Sequence, residues 1–409
     1  MRRVLVIGGG ASGLMAAITA ARQGAKVTLI EKNQQPGKKL LTTGNGRCNF
    51  TNRRQELSFY RSEDPERVRE VLRAFPAEAA VAFFEELGIL VKDRNGYLYP
   101  NSGQASSMVE VLKLEVRKFS RRIKEAYNTE VLSVEKQRDV FRVHTEGWTY
   151  EGDALILACG SKAGPKTGST GDGYRFAESL GHRVIPPLPA LTGLYASEGD
   201  RGTLAGVRIE AKVTLFIDGQ ISAEEEGEVQ FASYGLSGIP VFQVSRYVSR
   251  AREAGRDCMA VLDVCPGYSL EELEKILLKK GVTMGERKGT DILLGMFPEK
   301  LSQVFLGRAG ISLKKPRRDW TEGECRRLAE QMKGLSFHIF GCRGYEQAQV
   351  CTGGVPLSEL KGVSMESILV PGLYFAGELL DVDGACGGYN LQWAWSSGYL
   401  AGVHAAGFR

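Results

Sequence analysis

The stretch Arg3-Val4-Leu5-Val6-Ile7-Gly8-Gly9-Gly10-Ala11-Ser12-Gly13 decides how this chain begins to fold, together with an alanine-rich run to residue 23 and then Lys26-Val27-Thr28-Leu29-Ile30-Glu31. Residues 3–7 are mostly apolar and read as a short buried strand. The glycines force a turn. Ala16, Ala17, Ala20 and Ala21 keep the next helix thin where it must lie close to a sheet, Gly24 ends it, and residues 26–30 read as a second strand. This is a βαβ opening. Within it, residues 8–13 fit G-x-G-x-x-G in the required context. Gly8 permits the tight turn, Gly10 lets the backbone approach a pyrophosphate, and Gly13 allows the helix to pack close to the strand. The helix N-terminus then offers N–H groups and partial positive charge to phosphates. Glu31 stands where a carboxylate accepts hydrogen bonds from a ribose and repels a 2′-phosphate. The loop therefore predicts a dinucleotide other than NADP.

Two further segments select FAD over NAD. The first is Gly37-Lys38-Lys39-Leu40-Leu41-Thr42-Thr43-Gly44-Asn45-Gly46-Arg47-Cys48-Asn49, whose glycines and cations suit a backbone wrapping an extended anionic cofactor. The second is Gly372-Leu373-Tyr374-Phe375-Ala376-Gly377-Glu378, followed by Gly387-Gly388-Tyr389-Asn390. It predicts a strand ending in Gly-acid, with a helix starting soon after. Such an acid can bind a ribityl chain, and the helix N-terminus favours negative charge on a reduced flavin. The acid here is Glu378, one methylene longer than the aspartate of many FAD enzymes.

Between these ends, residues 65–90 and 106–118 read as helical. Residues 129–134, 140–145 and 148–151 read as alternating strands, and 153–159 as a buried one. Residues 162–172 read as a loop and 173–180 as a helix. The texture changes near Pro186-Pro187. Residues 191–245 read as short strands with turns, a small β domain, and 270–279, 291–297 and 322–333 as helices. From about residue 345 the first pattern returns, with a strand near 372–376 and a closing helix over 391–405.

Net charge is +5, from 53 basic and 48 acidic side chains, too mild an excess over 409 residues to imply nucleic acid. Residues 314–318, Lys-Lys-Pro-Arg-Arg, read as solvated surface. No run approaches the ~18 apolar residues of a membrane span, and residues 4–7 are too short for a signal-peptide core. The eight cysteines form no CxxC pair and no cluster with the four histidines, so no metal site is expected, and they read as reduced thiols in a cytoplasm.

The motifs GGGASGLMAA, GKKLLTTGNGRCNFTN, GSTGDGY, YGLSG, CTGGV and GLYFAGELLDVDGACGGYNLQWAWSSGY together resemble the BaiN/YhiN family of bacterial FAD oxidoreductases over essentially the whole chain. The resemblance implies an α/β fold: a discontinuous Rossmann-type FAD-binding domain (residues 1–190 and 345–409) with an insertion over 191–344. In that insertion, residues 191–265 and 335–344 would form a β-barrel and 266–334 a helical subdomain. It implies tightly but non-covalently held FAD contacted by Gly8, Gly10, Ala11, Ser12, Gly13, Glu31, Lys32, Gly44, Arg47, Cys48, Asn49, Val131, Gly160, Gly377, Glu378, Gly388, Asn390 and Leu391. Cys386 is a departure from relatives, which carry a small non-thiol residue there.

The family's activities imply two readings: NAD(P)H-dependent reduction of a conjugated C=C in a ring-containing, bile-acid- or steroid-like small molecule, and oxidation of a small amine such as aminoacetone with peroxide as product; a third reading, from another class, is a flavoprotein with an RNA-related or binding role, which the mildly basic composition allows. The first is preferred, with a small-molecule substrate and neither nucleic acid nor membrane as partner. No second Rossmann unit exists for a nicotinamide, so NAD(P)H would react as a transient visitor. The loop Gly168-Ser169-Thr170-Gly171-Asp172-Gly173 reads as flavin-side or substrate-side. Tyr389, Arg343, Tyr345 and Tyr97 are candidate catalytic groups, because a tyrosine can protonate an enolate and an arginine can hold a carbonyl or carboxylate. Cys48 reads as a small buried residue rather than half of a redox disulfide, and Trp393 and Trp395 as packing.

Overall fold

The structure is a computed structural model and describes residues 1–197 and 200–407. It divides into two units, Met1–Leu188 with Ala348–Arg409, and Pro189–Gln347.

The first unit is built on a five-stranded parallel sheet, in the order Leu373–Phe375, Ala154–Leu157, Arg3–Ile7, Lys26–Ile30, Ile123–Ala126. Ala154–Leu157 and Leu373–Phe375 are buried along their whole length, as expected of parallel strands covered on both faces. The chain runs outward from Arg3–Ile7 to Ile123–Ala126 and then crosses back to the other side of Arg3–Ile7. That reversal puts the crevice of the sheet at the C-terminal end of its first strand. Val131–Gln137, Val140–Thr145 and Trp148–Gly152 form a separate antiparallel sheet.

The expected continuous helix over 65–90 is two helices, Pro65–Ala74 and Ala77–Glu86. Pro76 lacks an N–H and disfavours helical geometry at Phe75, so the break falls there. Asp64 caps the first of the pair by accepting from the Arg67 N–H at 3.0 Å. The closing helix runs over Tyr389–Ala405 and so begins two residues before its expected start. It lies directly on the first helix, Ala11–Arg22. A Cβ added to Gly398 would stand 2.5 Å from the Ser12 carbonyl oxygen, and one on Gly402 would stand 2.5 Å from that of Ala16. The two helices touch backbone to side-chain-free backbone.

In the second unit, six strands close a barrel in the order Leu194–Ala196, Gly235–Ser237, Gln220–Ala232, Arg208–Ile217, Cys258–Asp263, Leu335–Cys342. Inward residues alternate along them, among them Val213, Leu215, Val229, Phe231, Ala260, Leu262, Phe337 and Ile339. The reading of 191–245 as strands fails at its end, because Ile239–Glu253 is a helix. Its β-branched residues suggest a strand, yet Val241, Val244, Val248 and Ala251 recur at helical spacing and are buried. Pro240, in its first turn, suits a helix start.

The helical piece comprises Leu270–Thr283, Gly289–Leu293, Glu299–Arg308 and Glu322–Lys333. The third is additional to the helices expected there, and the short second replaces the expected 291–297. Ser269 with Glu272, and Thr321 with Glu324, form capping boxes.

Because a Cβ at Gly398 would meet backbone, Gly398→Ala should lower stability by about 1–3 kcal/mol. A thermal melt followed by circular dichroism should show a fall of several degrees, and an unchanged melting temperature would contradict the close helix contact.

Candidate functional site

Three neighbouring parallel strands, ending at Ile7, Leu157 and Phe375, each run into a loop containing a left-handed glycine: Gly8 (φ +105°), Gly160 (φ +73°) and Gly377 (φ +75°). All three loops lie at the crevice side of the first unit's sheet. A Cβ on Gly8 would meet the Ala158 carbonyl oxygen at 2.3 Å, and one on Gly13 the Gly8 carbonyl oxygen at 1.8 Å. Protein packing therefore accounts for both. Gly10 differs: its absent Cβ has no protein atom within 4 Å, and it begins the first helix with no side-chain cap. A glycine that the protein's own atoms do not require, at an open helix N-terminus, fits a backbone kept bare for a phosphate group. Ala11 and Ser12 begin this helix, and Ser12 Oγ would lie 2.4 Å from a Cβ on Gly377.

Glu31 is buried at the end of Lys26–Ile30 and its carboxylate already has partners. Oε2 accepts from the Gly9 N–H at 2.7 Å; Oε1 accepts from the Asn33 N–H and side-chain amide at 2.8 and 2.7 Å. A carboxylate has about four lone-pair sites, so capacity for a ribose hydroxyl remains. The first effect of Glu31 is to hold the glycine loop. Lys32 Nζ reaches Thr170 Oγ1 at 2.5 Å and Asp172 Oδ2 at 2.7 Å. Partial burial raises the Asp172 carboxyl, but hydrogen bonds from Lys32 and Thr170 outweigh it, and the net shift is downward. The 168–173 loop is thus tied to Lys32, beside Glu31, and at the same time to Ser161, whose carbonyl accepts from Ser169 Oγ at 2.9 Å. Val131 opens a strand whose approach runs past Glu31, where the Thr129 N–H donates to the Glu31 carbonyl at 3.0 Å.

Gly44, Asn45 and Gly46 take left-handed φ values of +55°, +52° and +79°. Consecutive N–H groups in such turns form concavities that suit anions. Arg47 is exposed, and its Nε donates to the Gly44 carbonyl. Cys48 is fully buried, and burial pushes its thiol up to about 12, which keeps it protonated and a poor nucleophile. Asn49 is buried, and both polar atoms of its side chain lack a hydrogen-bond partner. An orphaned amide at such a place is costly unless something binds it.

Glu378 accepts from Lys39 Nζ at 2.6 Å and from Ser161 Oγ at 3.2 Å. Sequence reasoning missed both partners. Lys39 is one of two adjacent lysines, and nothing in the sequence distinguishes Ser161. Gly377 is fixed by Ser397 Oγ, which accepts its N–H at 2.9 Å, and by Trp393 Nε1, which donates to its carbonyl at 3.2 Å.

Gly388 (φ +93°) precedes the closing helix, again with no side-chain cap, and a Cβ there would meet Asn49 Oδ1 at 2.2 Å. The Asn390 side chain braces the preceding turn: Oδ1 accepts from the Gly384 N–H at 2.8 Å, and Nδ2 donates to the carbonyls of Gly384 and Ala385. Leu391 is half-buried in the helix's first turns. The Thr51 hydroxyl donates to Gln392, and Trp395 Nε1 donates to the Phe50 carbonyl, fastening this helix to residues 50–51. Cys386 is half-buried in the turn before that helix.

Among the four candidate catalytic groups, Tyr389 and Tyr97 flank Gly387. A Cβ on that glycine would lie 2.5 Å from Tyr97 and 3.5 Å from Tyr389. Tyr389 also stacks on Phe59, centroids 4.6 Å apart. Burial raises its phenol to about 12, so it stays protonated at neutral pH. Arg343 and Tyr345 belong to the second unit. The Arg343 guanidinium lies 4.6 Å from the Tyr234 ring centroid. No group of three or more His, Cys, Asp or Glu suited to a metal occurs among the described residues, and no helix there is long and apolar enough to cross a membrane.

Residues 2–404 match the family model described as HI0933-like protein Rossmann domain. The chain is 40% identical over 408 residues to the 3-dehydro-bile acid delta(4,6)-reductase of Clostridium scindens, covering 99% of each. It is 32% identical to a ribosomal RNA dihydrouridine synthase of Haemophilus influenzae, covering 98% of this chain and 97% of that one. A protein of the same description from Escherichia coli is 30% identical, covering 97% and 96%. Among solved structures, the 3-ketosteroid delta1-dehydrogenase of Sterolibacterium denitrificans superposes with a TM-score of 0.51 at 12% identity, covering all of both chains, a likeness of fold. The parallel sheet with its three glycine loops, the inserted barrel and these whole-length matches place the chain in the HI0933-like family of FAD-dependent Rossmann oxidoreductases.

Proposed function

We propose that this enzyme uses NAD(P)H to saturate a C=C bond conjugated to a carbonyl in a ring-containing small molecule. One observation carries the reading: the 40% identity, over 99% of both chains, to a protein named for reducing delta(4,6) bonds of a 3-dehydro-bile acid. The net reaction consumes NAD(P)H and a proton, and places one hydride and one proton across the double bond. FAD, when bound, supplies hydride exchange at flavin N5.

The chain's own residues bind and orient. Gly8, Gly10, Ala11, Ser12 and Gly13 present the first helix's N-terminus to the pyrophosphate. Glu31, Lys32 and Val131 serve the adenosine half. Gly44, Arg47, Cys48 and Asn49 wrap the cofactor, Cys48 by its backbone, and Asn49 offers its unpartnered amide. Gly160, Gly377 and Glu378 with its Lys39 partner serve the ribityl side, while Gly388, Asn390 and Leu391 present the closing helix's N-terminus to the flavin. Tyr389, held protonated by burial, is the preferred proton donor in this unit. The cysteines form no disulfide among the described residues, which supports a reducing cytoplasm as the location.

A second reading is favoured by the two relatives named ribosomal RNA dihydrouridine synthase. Forming dihydrouridine also saturates a C=C conjugated to a ring carbonyl, so the chemistry is shared and the substrate differs. The amine-oxidase alternative rests on the family resemblance and is separated by its need for oxygen.

Under anaerobic conditions, NADH or NADPH should bleach the yellow protein, and a fused-ring dienone should restore the colour. Failure of both nucleotides would sink the reductase reading, while reoxidation by uridine-containing ribosomal RNA alone would move it to the second substrate.

Gly10→Ala separates cofactor binding from folding. The fold has room for that methyl group, so the apo-protein's melting temperature should hold within about a degree while FAD affinity falls at least tenfold, a loss of about 1.4 kcal/mol. Full FAD retention by this variant would argue against the pyrophosphate assignment.

A further inference from the structure

Asn49 lies where two backbone features of the first unit meet. Its backbone N stands 3.2 Å from where a side chain on Gly44 would begin, at the left-handed turn over 44–46. Its side-chain Oδ1 stands 2.2 Å from where one on Gly388 would begin, at the uncapped start of the closing helix. Asn49 is 7% exposed, and Oδ1 and Nδ2 both lack a hydrogen-bond partner. Cys48, Phe50 and Thr51 around it are fully buried and uncharged. A buried amide with both its acceptor and its donor unmet is a costly state for a folded protein.

Chemistry narrows what meets it. A phosphate offers acceptors only, so it would satisfy Nδ2 and repel Oδ1. The partner must carry a donor and an acceptor side by side. The pyrimidine ring of a flavin does, because its N3–H is flanked by the C2 and C4 carbonyls. Asparagine offers the complementary pair, as it does when it reads the edge of a base.

An adenine edge has the same pattern, and the positions of the two helix starts decide between them. Gly398 meets the Ser12 carbonyl and Gly402 that of Ala16, so the closing helix and the first helix run in the same direction. Gly388 precedes Gly398 by ten residues, and Gly10 precedes Ser12 by two. At ~1.5 Å per residue, the closing helix starts about 12 Å further along the axis than the first helix does. With a pyrophosphate at Gly10, that lead carries past a ribityl chain to the ring beyond it. Glu31, on the adenosine side, follows a strand on the opposite flank of Arg3–Ile7 from the strand that leads into Gly377.

We infer that Asn49 binds the pyrimidine edge of the flavin: Oδ1 accepts from N3–H, and Nδ2 donates to the C2 carbonyl. This rests on the FAD reading of the first unit and is independent of which substrate is reduced. Reduction adds negative charge at N1 and the C2 carbonyl, so a donor held there beside a helix N-terminus strengthens on reduction. Asn49 thus orients the ring and favours the reduced cofactor.

The test titrates the full-length apo-protein with FAD, N3-methyl-FAD and ADP, and measures the midpoint potential of the FAD-loaded protein. Wild type should bind N3-methyl-FAD at least about tenfold more weakly than FAD. Asn49→Ala should bind the two alike, within about threefold, because the methyl group no longer displaces a hydrogen bond. Its ADP affinity should match that of wild type within about twofold, which with circular dichroism establishes that it is folded. Its midpoint potential should fall by at least about 30 mV, a tenfold loss of preference for the reduced form. Asn49→Asp keeps the shape but loses the donor, and should lower the potential further. If the N3-methyl penalty persists in Asn49→Ala, or neither variant changes the potential, Asn49 does not meet the pyrimidine edge and the inference fails. Loss of ADP affinity in step with FAD affinity would assign Asn49 to the other half of the cofactor and overturn it as well. A wild type that binds FAD and ADP yet tolerates the N3-methyl group leaves the FAD reading intact and sinks this inference alone; a wild type that binds neither FAD nor ADP sinks the FAD reading itself.

Discussion

The first helix and the closing helix meet where neither can carry a side chain. Gly398 and Gly402 let the closing helix rest on the Ser12 and Ala16 carbonyls, and Gly377 lets the preceding loop rest on Ser12 itself. This one contact joins segments more than 360 residues apart in sequence. It places two uncapped helix N-termini, at Gly10 and Gly388, within one unit. Dispersion attraction falls off within about an ångström of optimal separation. A bulkier pair of faces would therefore part the helices and move both termini. Hydrogen bonds from the closing helix then lock the arrangement, through Trp393 and Ser397 to Gly377, and through Trp395 and Gln392 to residues 50–51.

The electrostatics of the site depend on that frame. Carboxylates that would be costly to bury alone have been given partners: Glu31 takes the Gly9 N–H and the Asn33 donors, and Glu378 takes Lys39 and Ser161. These bonds pre-set the loops and leave lone pairs for a ligand. Thiols are managed in the opposite way. Burial raises Cys48 and Cys159 to about 12, so neither competes with a flavin for electrons as a thiolate. Such an arrangement leaves redox chemistry to the cofactor and confines the protein to holding it.

The first unit carries every position proposed for FAD, whereas the candidates Arg343 and Tyr345 lie in the inserted unit. Relatives named for a bile acid and for ribosomal RNA match this chain over nearly its whole length, so the fold is shared while the named substrates differ.

Sequence alone determined the parts governed by short-range rules. Gly8, Gly13 and the strand–helix–strand around them were legible because a tight turn and a close helix–strand contact admit only glycine there. The inserted β unit announced itself as a change of texture near Pro186-Pro187, and the two tryptophans of the closing helix as packing; that its strands close into a barrel with residues 335–342 was implied only by the family resemblance. Tertiary structure decided what depends on partners distant in the chain. The strand-like composition of 239–253 gave no warning that those β-branched residues would cover a barrel as a helix. Lys39 and Ser161 carried no local signal, since an ion pair spanning 339 residues exists only once the sheet brings the loops together. The 168–173 loop could be read as glycine-rich but not as tied to Lys32. Arg343 could be nominated, but its place over the Tyr234 ring depends on a barrel register that no window of sequence contains.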